Sequence, residues 1–352
     1  MPSIDSIISR IAPLDAAAMR AARARQDVLT KPQGSLGRLE EISIQLAGVQ
    51  GRARPDVSSK AIFVMAGDHG CVLEGVSAYP QDVTAQMVLN FAAGGAAINV
   101  LARHVGARVI VVDMGVAGDC EADNVITRKI ARGTRNLAVG PAMSPEEARR
   151  CVEAGIEVFE SEMARGLDLV GAGDMGIGNT TPSAAIIAAF TGSSPTAVAG
   201  RGTGIDDARL AAKVSVIERA LAVNNPDPGD ALDVLAKLGG FELGGLAGVI
   251  LAAAAHRVPV VIDGVISSAA ALVATGLAPQ ARDYLIAGHL SVEPGHRAAL
   301  DHMRLAPVLD LGMRLGEGTG GALAMAIVEA AARALNEMAT FADAGVSEAL
   351  EE

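Results

Sequence analysis

Residues 61–70 read Ala61-Ile62-Phe63-Val64-Met65-Ala66-Gly67-Asp68-His69-Gly70. The run Ala61–Met65 is apolar throughout and does not alternate, so neither face is prepared for water. A short continuous run that ends in glycines reads as a strand buried on both faces. Five more runs share this form: Arg108–Val112, Leu167–Val170, Thr196–Ala199, Val258–Ile262 and Tyr284–Ala287. Each leads through a glycine-rich turn into a helical pattern. Strands that alternate with helices predict an α/β fold, a doubly wound and mostly parallel sheet covered on both sides.

Outward from these runs, both ends of the chain read as helical. Leu14–Leu29 is rich in Ala and Arg, and Thr30-Lys31-Pro32-Gln33-Gly34 breaks it. A second helix carries Leu36, Leu39, Ile42, Leu46 and Val49 as one apolar stripe. The last helix, Gly321–Met338, places Leu323, Ile327, Val328, Ala331 and Leu335 on one side. The expected division is a small helical subdomain, 1–58 with 321–352, beside a large α/β catalytic domain, 59–320. A last helix lying over the sheet face fits the same pattern. The acidic tail Ser347–Glu352 is expected to fray.

Half of the 352 residues are apolar, with no Trp, 2 Tyr and 6 Phe, so the core must be aliphatic. The formal net charge of −11 argues against a nucleic-acid or anionic-membrane partner, which needs Lys/Arg stripes. Cys71, Cys120 and Cys151 are too few and too widely spaced for a disulfide framework or a zinc finger. The N-terminus shows no continuous apolar segment of a secretory signal, and no apolar run reaches about 18 residues. A cytoplasmic protein is the expectation.

In open α/β sheets ligands bind beyond the carboxyl ends of the strands. Glycine makes up 40 of the 352 residues, and fifteen of these fall in four post-strand segments: 67–75, 171–178, 200–204 and 312–321. Glycine turns at helix starts turn backbone N–H groups outward, where the helix dipole favours an anion. A phosphorylated ligand is therefore expected, held without a lysine patch. Residues 171–176 fit G-x-G-x-x-G, which suggests an NAD-dependent oxidoreductase. The next expected strand ends on Arg201, however, where a ribose would want an acid. No GxxxxGK[ST] and no GxSxG occurs. Asp68, His69, Asp263 and His289 lack the spacing of a metal site. Hydrogen bonds that order the loop suit Asp68 and His69 better. Glu317 stands between two glycines. In an apolar pocket its pKa would rise and it could take up a proton near neutral pH as a base; otherwise it is a helix-cap carboxylate.

A set of longer motifs resolves these options. Lys31-Pro-Gln-Gly-Ser-Leu-Gly-Arg-Leu-Glu40, Gly67-Asp-His-Gly70, Gly75-Val-Ser-Ala-Tyr-Pro-Gln-Asp-Val-Thr84 and Gly94-Gly-Ala-Ala-Ile98 come first. Met175-Gly-Ile-Gly-Asn-Thr-Thr-Pro182, Gly200-Arg-Gly-Thr-Gly204, Asp263-Gly264, Gly288-His-Leu-Ser291, Glu293-Pro-Gly-His296 and Arg314-Leu-Gly-Glu-Gly-Thr-Gly320 complete the series. In this order they resemble the nicotinate-nucleotide:dimethylbenzimidazole phosphoribosyltransferases of cobalamin lower-ligand assembly. The resemblance implies a homodimer with a large Rossmann-like domain and a small helical one. It also implies transfer of phosphoribose from nicotinate mononucleotide to 5,6-dimethylbenzimidazole or a similar base, with no metal or redox cofactor.

The resemblance places the catalytic glutamate at Glu317. Where members often carry a second glutamate this chain has Asp174, one methylene shorter. The resemblance places a family lysine at Lys213, expected to serve catalysis by meeting the phosphate or a carboxylate. The phosphate is expected at Gly176, Ile177, Gly178, Asn179 and Thr180 with Gly202, Thr203 and Gly204. Tyr79, Gln86, Met175 and Leu315 are expected to wall the base, with Ser291, Arg314 and Gly316 beside them. The oxidoreductase and a non-catalytic nucleotide-binding protein are the competing readings.

Overall fold

Six strands, β1 (Lys60–Gly67), β2 (Ala107–Gly115), β3 (Val125–Thr127), β4 (Leu169–Met175), β5 (Val260–Ile262) and β6 (Leu285–Ala287), form one sheet in a computed structural model. It describes residues 3–347. All pairings are parallel, in the order β3-β2-β1-β4-β5-β6. The order reverses between β1 and β4, and crevices for ligands form at such switch points. β1 runs in register with β4 from Lys60–Leu169 to Ala66–Met175, so the carboxyl ends of both strands open side by side.

Every residue of β1 is buried. Ala61, Phe63 and Met65 enter one apolar layer, and Ile62, Val64 and Ala66 enter the other. This is why the run is apolar without alternation.

The helices, in chain order, are α1 (Ile4–Ile8), α2 (Ala16–Val28), α3 (Arg38–Gln50), α4 (Val83–Ala93), α5 (Ala97–His104), α6 (Pro145–Glu162), α7 (Thr180–Thr191), α8 (Pro195–Val198), α9 (Asp207–Asn224), α10 (Ala231–Leu238), α11 (Phe241–Ala255), α12 (Val265–Leu277), α13 (Pro294–Met303), α14 (Thr319–Glu337) and α15 (Phe341–Ala344). α6 starts at a capping box, Ser144 with Glu147, and has Pro145 at its first turn. α11 is apolar all round apart from Glu242 in its first turn and is buried from Phe241 to Ala254, the signature of a core helix. It lies so close to α6 that a Cβ on Gly155 would overlap Gly245 O, and one on Gly248 would overlap Val152 O. His256 caps α11, as its position suggests.

α2, α3 and α14 share a cluster of Ala22, Ile44, Ala47 and Leu335. α14 also covers the sheet, with Met325 and Val328 in the layer of Ile62 and Val64. α1 lies on the opposite face, with Ile4 and Ile7 in the layer of Phe63 and Phe159. The stretch Val83–His104 is long and apolar enough to cross a membrane. It is broken into α4 and α5 at Gly94 (φ 78°), and Ile98 and Ala102 of α5 are buried.

Three sequence expectations change. Thr196–Ala199 is not a strand, because Ser194-Pro195 starts the short helix α8 there. β3 was not anticipated: it is three residues long, half-exposed and at the sheet edge. β4 runs past Val170 to Met175, so Gly171 and Gly173 lie inside a strand. Residues 348–352 of the expected frayed tail lie outside the described residues.

Candidate active site

A cavity of about 550 Å³ opens at the switch point, over the carboxyl end of β4. Its floor is Asp174 and Met175, the last residues of that strand, followed by the turn Gly176–Asn179 and the start of α7 at Thr180. Thr84 Oγ1 accepts from Ile177 N (3.0 Å) and fixes the turn from α4. Gly178 takes φ 91° and also leaves no room for a Cβ against Val72 Cγ2 (2.8 Å). The N-terminus of α7 therefore faces the cavity, a place suited to an anion.

The facing loop, 200–204, is held from behind. Lys213 Nζ donates to Thr180 Oγ1 (2.8 Å) and to Gly200 O (3.0 Å). Glu293 Oε1 accepts from Gly202 N (2.9 Å), and Arg314 donates to Gly202 O (3.3 Å). Lys213 is fully buried. Burial lowers its ammonium to about 8, against the pull of the Glu293 carboxylate.

Glu317 comes from the loop between α13 and α14, at the turn that opens α14. It is a non-glycine residue at φ 63°, flanked by Gly316 at 86° and Gly318 at 89°. Its backbone passes so close to β4 that a Cβ on Gly173 would overlap Glu317 O. This explains the second glycine of the G-x-G-x-x-G match, which makes no dinucleotide turn. Glu317 is 7 % exposed, and Oε2 accepts from Ile98 N (3.1 Å). Burial raises its carboxyl above the usual range, the Ile98 N–H opposes this, and the negative charge of Asp263 adds to it. Asp174 accepts from Asn179 Nδ2 (2.9 Å), and burial, then the negative charge of Asp263, push its carboxyl well above the usual range. The site thus holds two carboxyls whose proton affinity is raised above that of free ones.

Behind this floor, Asp68 Oδ2 accepts from Ala117 N (2.8 Å), so Asp68 does order its loop. His69 pairs with the equally buried Glu242, Nε2 to Oε1 3.0 Å. No group of three or more His, Cys, Asp or Glu side chains among the described residues could hold a metal ion.

Comparison with known proteins now decides between the readings. A sequence model of a family described as a phosphoribosyltransferase matches residues 11–346. The nicotinate-nucleotide–dimethylbenzimidazole phosphoribosyltransferase of Desulforudis audaxviator is 63% identical over 97% of both chains. That of a Roseiflexus species is 60% identical over 99% of both. A crystal structure of the enzyme from Thermus thermophilus superposes with a TM-score of 0.91 at 49% identity, covering 96% of this chain and 100% of that one. The chain belongs to the nicotinate-nucleotide–dimethylbenzimidazole phosphoribosyltransferases. Nothing found supports the oxidoreductase alternative.

In this phosphoribosyltransferase the cavity gathers most of the residues expected from sequence. Tyr79, Asp174, Met175, Gly176, Ile177, Gly178, Asn179, Thr180, Gly202, Thr203, Ser291, Arg314, Leu315, Gly316 and Glu317 all line it. Gln86, Gly204 and Lys213 do not. Gln86 is exposed on α4, Gly204 is exposed at φ 98°, and Lys213 lies behind loop 200–204 as a brace. Sequence reading missed Val83, Val265, Ile266 and Glu293 as lining residues. Val83, Val265 and Ile266 carry no signal of their own, being ordinary apolar positions in the first turns of α4 and α12. Glu293 stood in a quoted motif, and its carboxylate could have been paired with the loop it holds.

Proposed function

We propose that this enzyme transfers phosphoribose from nicotinate mononucleotide to 5,6-dimethylbenzimidazole, giving α-ribazole 5′-phosphate and nicotinate, in assembly of the cobalamin lower ligand. The observation that carries this reading is the buried Glu317 carboxyl in the lining of a largely apolar cavity that is also lined by a helix N-terminus. The pyridine nitrogen of the donor is already cationic, so its bond to C1′ breaks without a general acid. A benzimidazole nitrogen attacks C1′ from the opposite face, which inverts that carbon from β to α. The N–H proton on the other ring nitrogen passes to Glu317, so charge and atoms balance. Asp174, below the Gly316–Glu317 turn, is placed to offset positive charge on the ribose when ionised.

The phosphate fits the α7 N-terminus with Gly202 and Thr203. Tyr79, Val83, Met87, Met175 and Leu315 offer the flat base an apolar wall. Holding two rings on opposite faces of one ribose supplies much of the rate. A homodimer, a cytoplasmic setting and the division into a helical unit (1–58, 321–352) and an α/β unit (59–320) belong to the same reading. The cluster shared by α2, α3 and α14 supports the division, and three buried free cysteines suit a reducing compartment.

The test is incubation with nicotinate mononucleotide and a panel of benzimidazoles and purines, with products identified by mass. Nicotinate released in step with a ribazole phosphate is expected. Turnover of the mononucleotide with no new glycosidic product would overturn the assignment.

A further inference from the structure

We propose that Asp263 is the positioning residue of the Glu317 base, a buried carboxylate at the end of β5 that fixes the turn carrying Glu317 and ties it to the loop after β6. The inference rests on the reading of Glu317 as base. Three residues in succession, Gly316, Glu317 and Gly318, adopt left-handed backbone. Such a turn persists only where its surroundings over-determine it. Asp263 supplies that restraint: Oδ2 accepts from Gly318 N (3.2 Å) and Oδ1 from Gly321 N (2.9 Å).

Asp263 thereby caps the 19-residue α14 from a different element, with its charge at the favourable end of the helix dipole. Its own N–H donates to Ser267 Oγ (2.8 Å), which anchors it to α12. His289 Nε2 lies 3.4 Å from Oδ1, and its ring packs so tightly on α14 that a Cβ on Gly320 would overlap it. Asp263 is fully buried and outside the set of residues that line the cavity, so it acts through Glu317 rather than on substrate. The titratable and charged groups around Glu317 are Asp174 from β4, Asp263 from β5, His289 and Glu293 from the segment after β6, and Arg314 on its own loop. The negative charge of Asp263 favours the protonated form of Glu317 and so helps it receive the proton.

The experiment is the pH profile of kcat/KM for Asp263→Asn, beside wild type and Glu317→Gln, with folding checked by thermal melting. Asparagine keeps one of the two acceptor oxygens and removes the charge. Expected are a fall in kcat of about 10- to 100-fold, the scale of a small misplacement, a nearly unchanged KM for the mononucleotide, and an acid limb moved to lower pH. A merely structural role would lower the amplitude and leave the limb in place, which overturns the proposal, as does wild-type kcat with an unmoved limb. If Asp263→Asn does not fold, Asp263→Ser carries the same test, and failure of both to fold assigns Asp263 to stability alone. A Glu317→Gln variant with full turnover overturns the base reading itself, and this proposal with it. An inactive Glu317→Gln beside an unaltered Asp263→Asn removes only the proposal.

Discussion

Two buried regions of this enzyme are built on glycine and use it for opposite purposes. Where α6 crosses α11, Gly155, Gly245 and Gly248 let two helices touch backbone to backbone. The helix amides there are paired within their own helices, and the surroundings are apolar, so the contact stabilises. Beneath Glu317, Gly173, Gly316 and Gly318 also let backbones touch, but the contact there presents carboxyl groups instead of methyls. Asp174 and Glu317 are buried with raised proton affinity, and Asp68 Oδ1 and His289 Nδ1 have no hydrogen-bond partner among the described residues. Burial of such groups opposes folding. The same residue type thus serves a close helix crossing and a turn in left-handed backbone that buries carboxyls.

Three variants test that contrast, starting with the largest effect. Glu317→Gln should lower turnover by about 10²–10⁴, with ligand binding by calorimetry and the melting midpoint little changed. A large loss of stability together with intact turnover would place Glu317 in the scaffold. Gly248→Ala should do the reverse. Its Cβ has no space against Val152 O, so denaturant unfolding should show a loss of about 1–3 kcal/mol, the usual range for overpacking. Turnover per folded molecule should hold.

Asp174→Asn should have the smallest effect on the fold, and it should be a gain. The folded-state pKa of Asp174 is raised, so between the ordinary aspartate range and that raised value the native chain binds a proton that the unfolded chain does not. Stability from this group is therefore lost as pH rises through that window. Melting midpoints across pH should show Asp174→Asn above wild type at neutral pH, with the difference vanishing below about pH 4, where an unfolded aspartate is also protonated.

The sheet was legible because a strand buried on both faces cannot hide: Ile62 and Val64 must be apolar for one layer, Phe63 and Met65 for the other. The same logic fails at Thr196–Ala199, where four residues cannot declare a period and Pro195 decides for helix. It fails at Val125–Thr127, where an edge position removes the demand for burial. Glycine loops announced the cavity floor, since their backbone conformation is a local property. Lys213 was visible as a lysine but not as a brace, because only the packed fold shows that its Nζ meets Gly200 O instead of the cavity.

The placement of α1 across the sheet from α2 and α3 has a consequence for synthesis of the chain. Ile4 and Ile7 leave the ribosome well ahead of α11, which begins more than 230 residues later and belongs to the layer they enter. At about 5–20 residues per second that is a wait of roughly 10–50 s, during which an apolar five-residue helix has no seat. α2 and α3 wait longer for α14. Such long-range pairings predict slow folding, and they leave α1 open to capture by chaperones until α11 arrives, and α2 and α3 until α14 does.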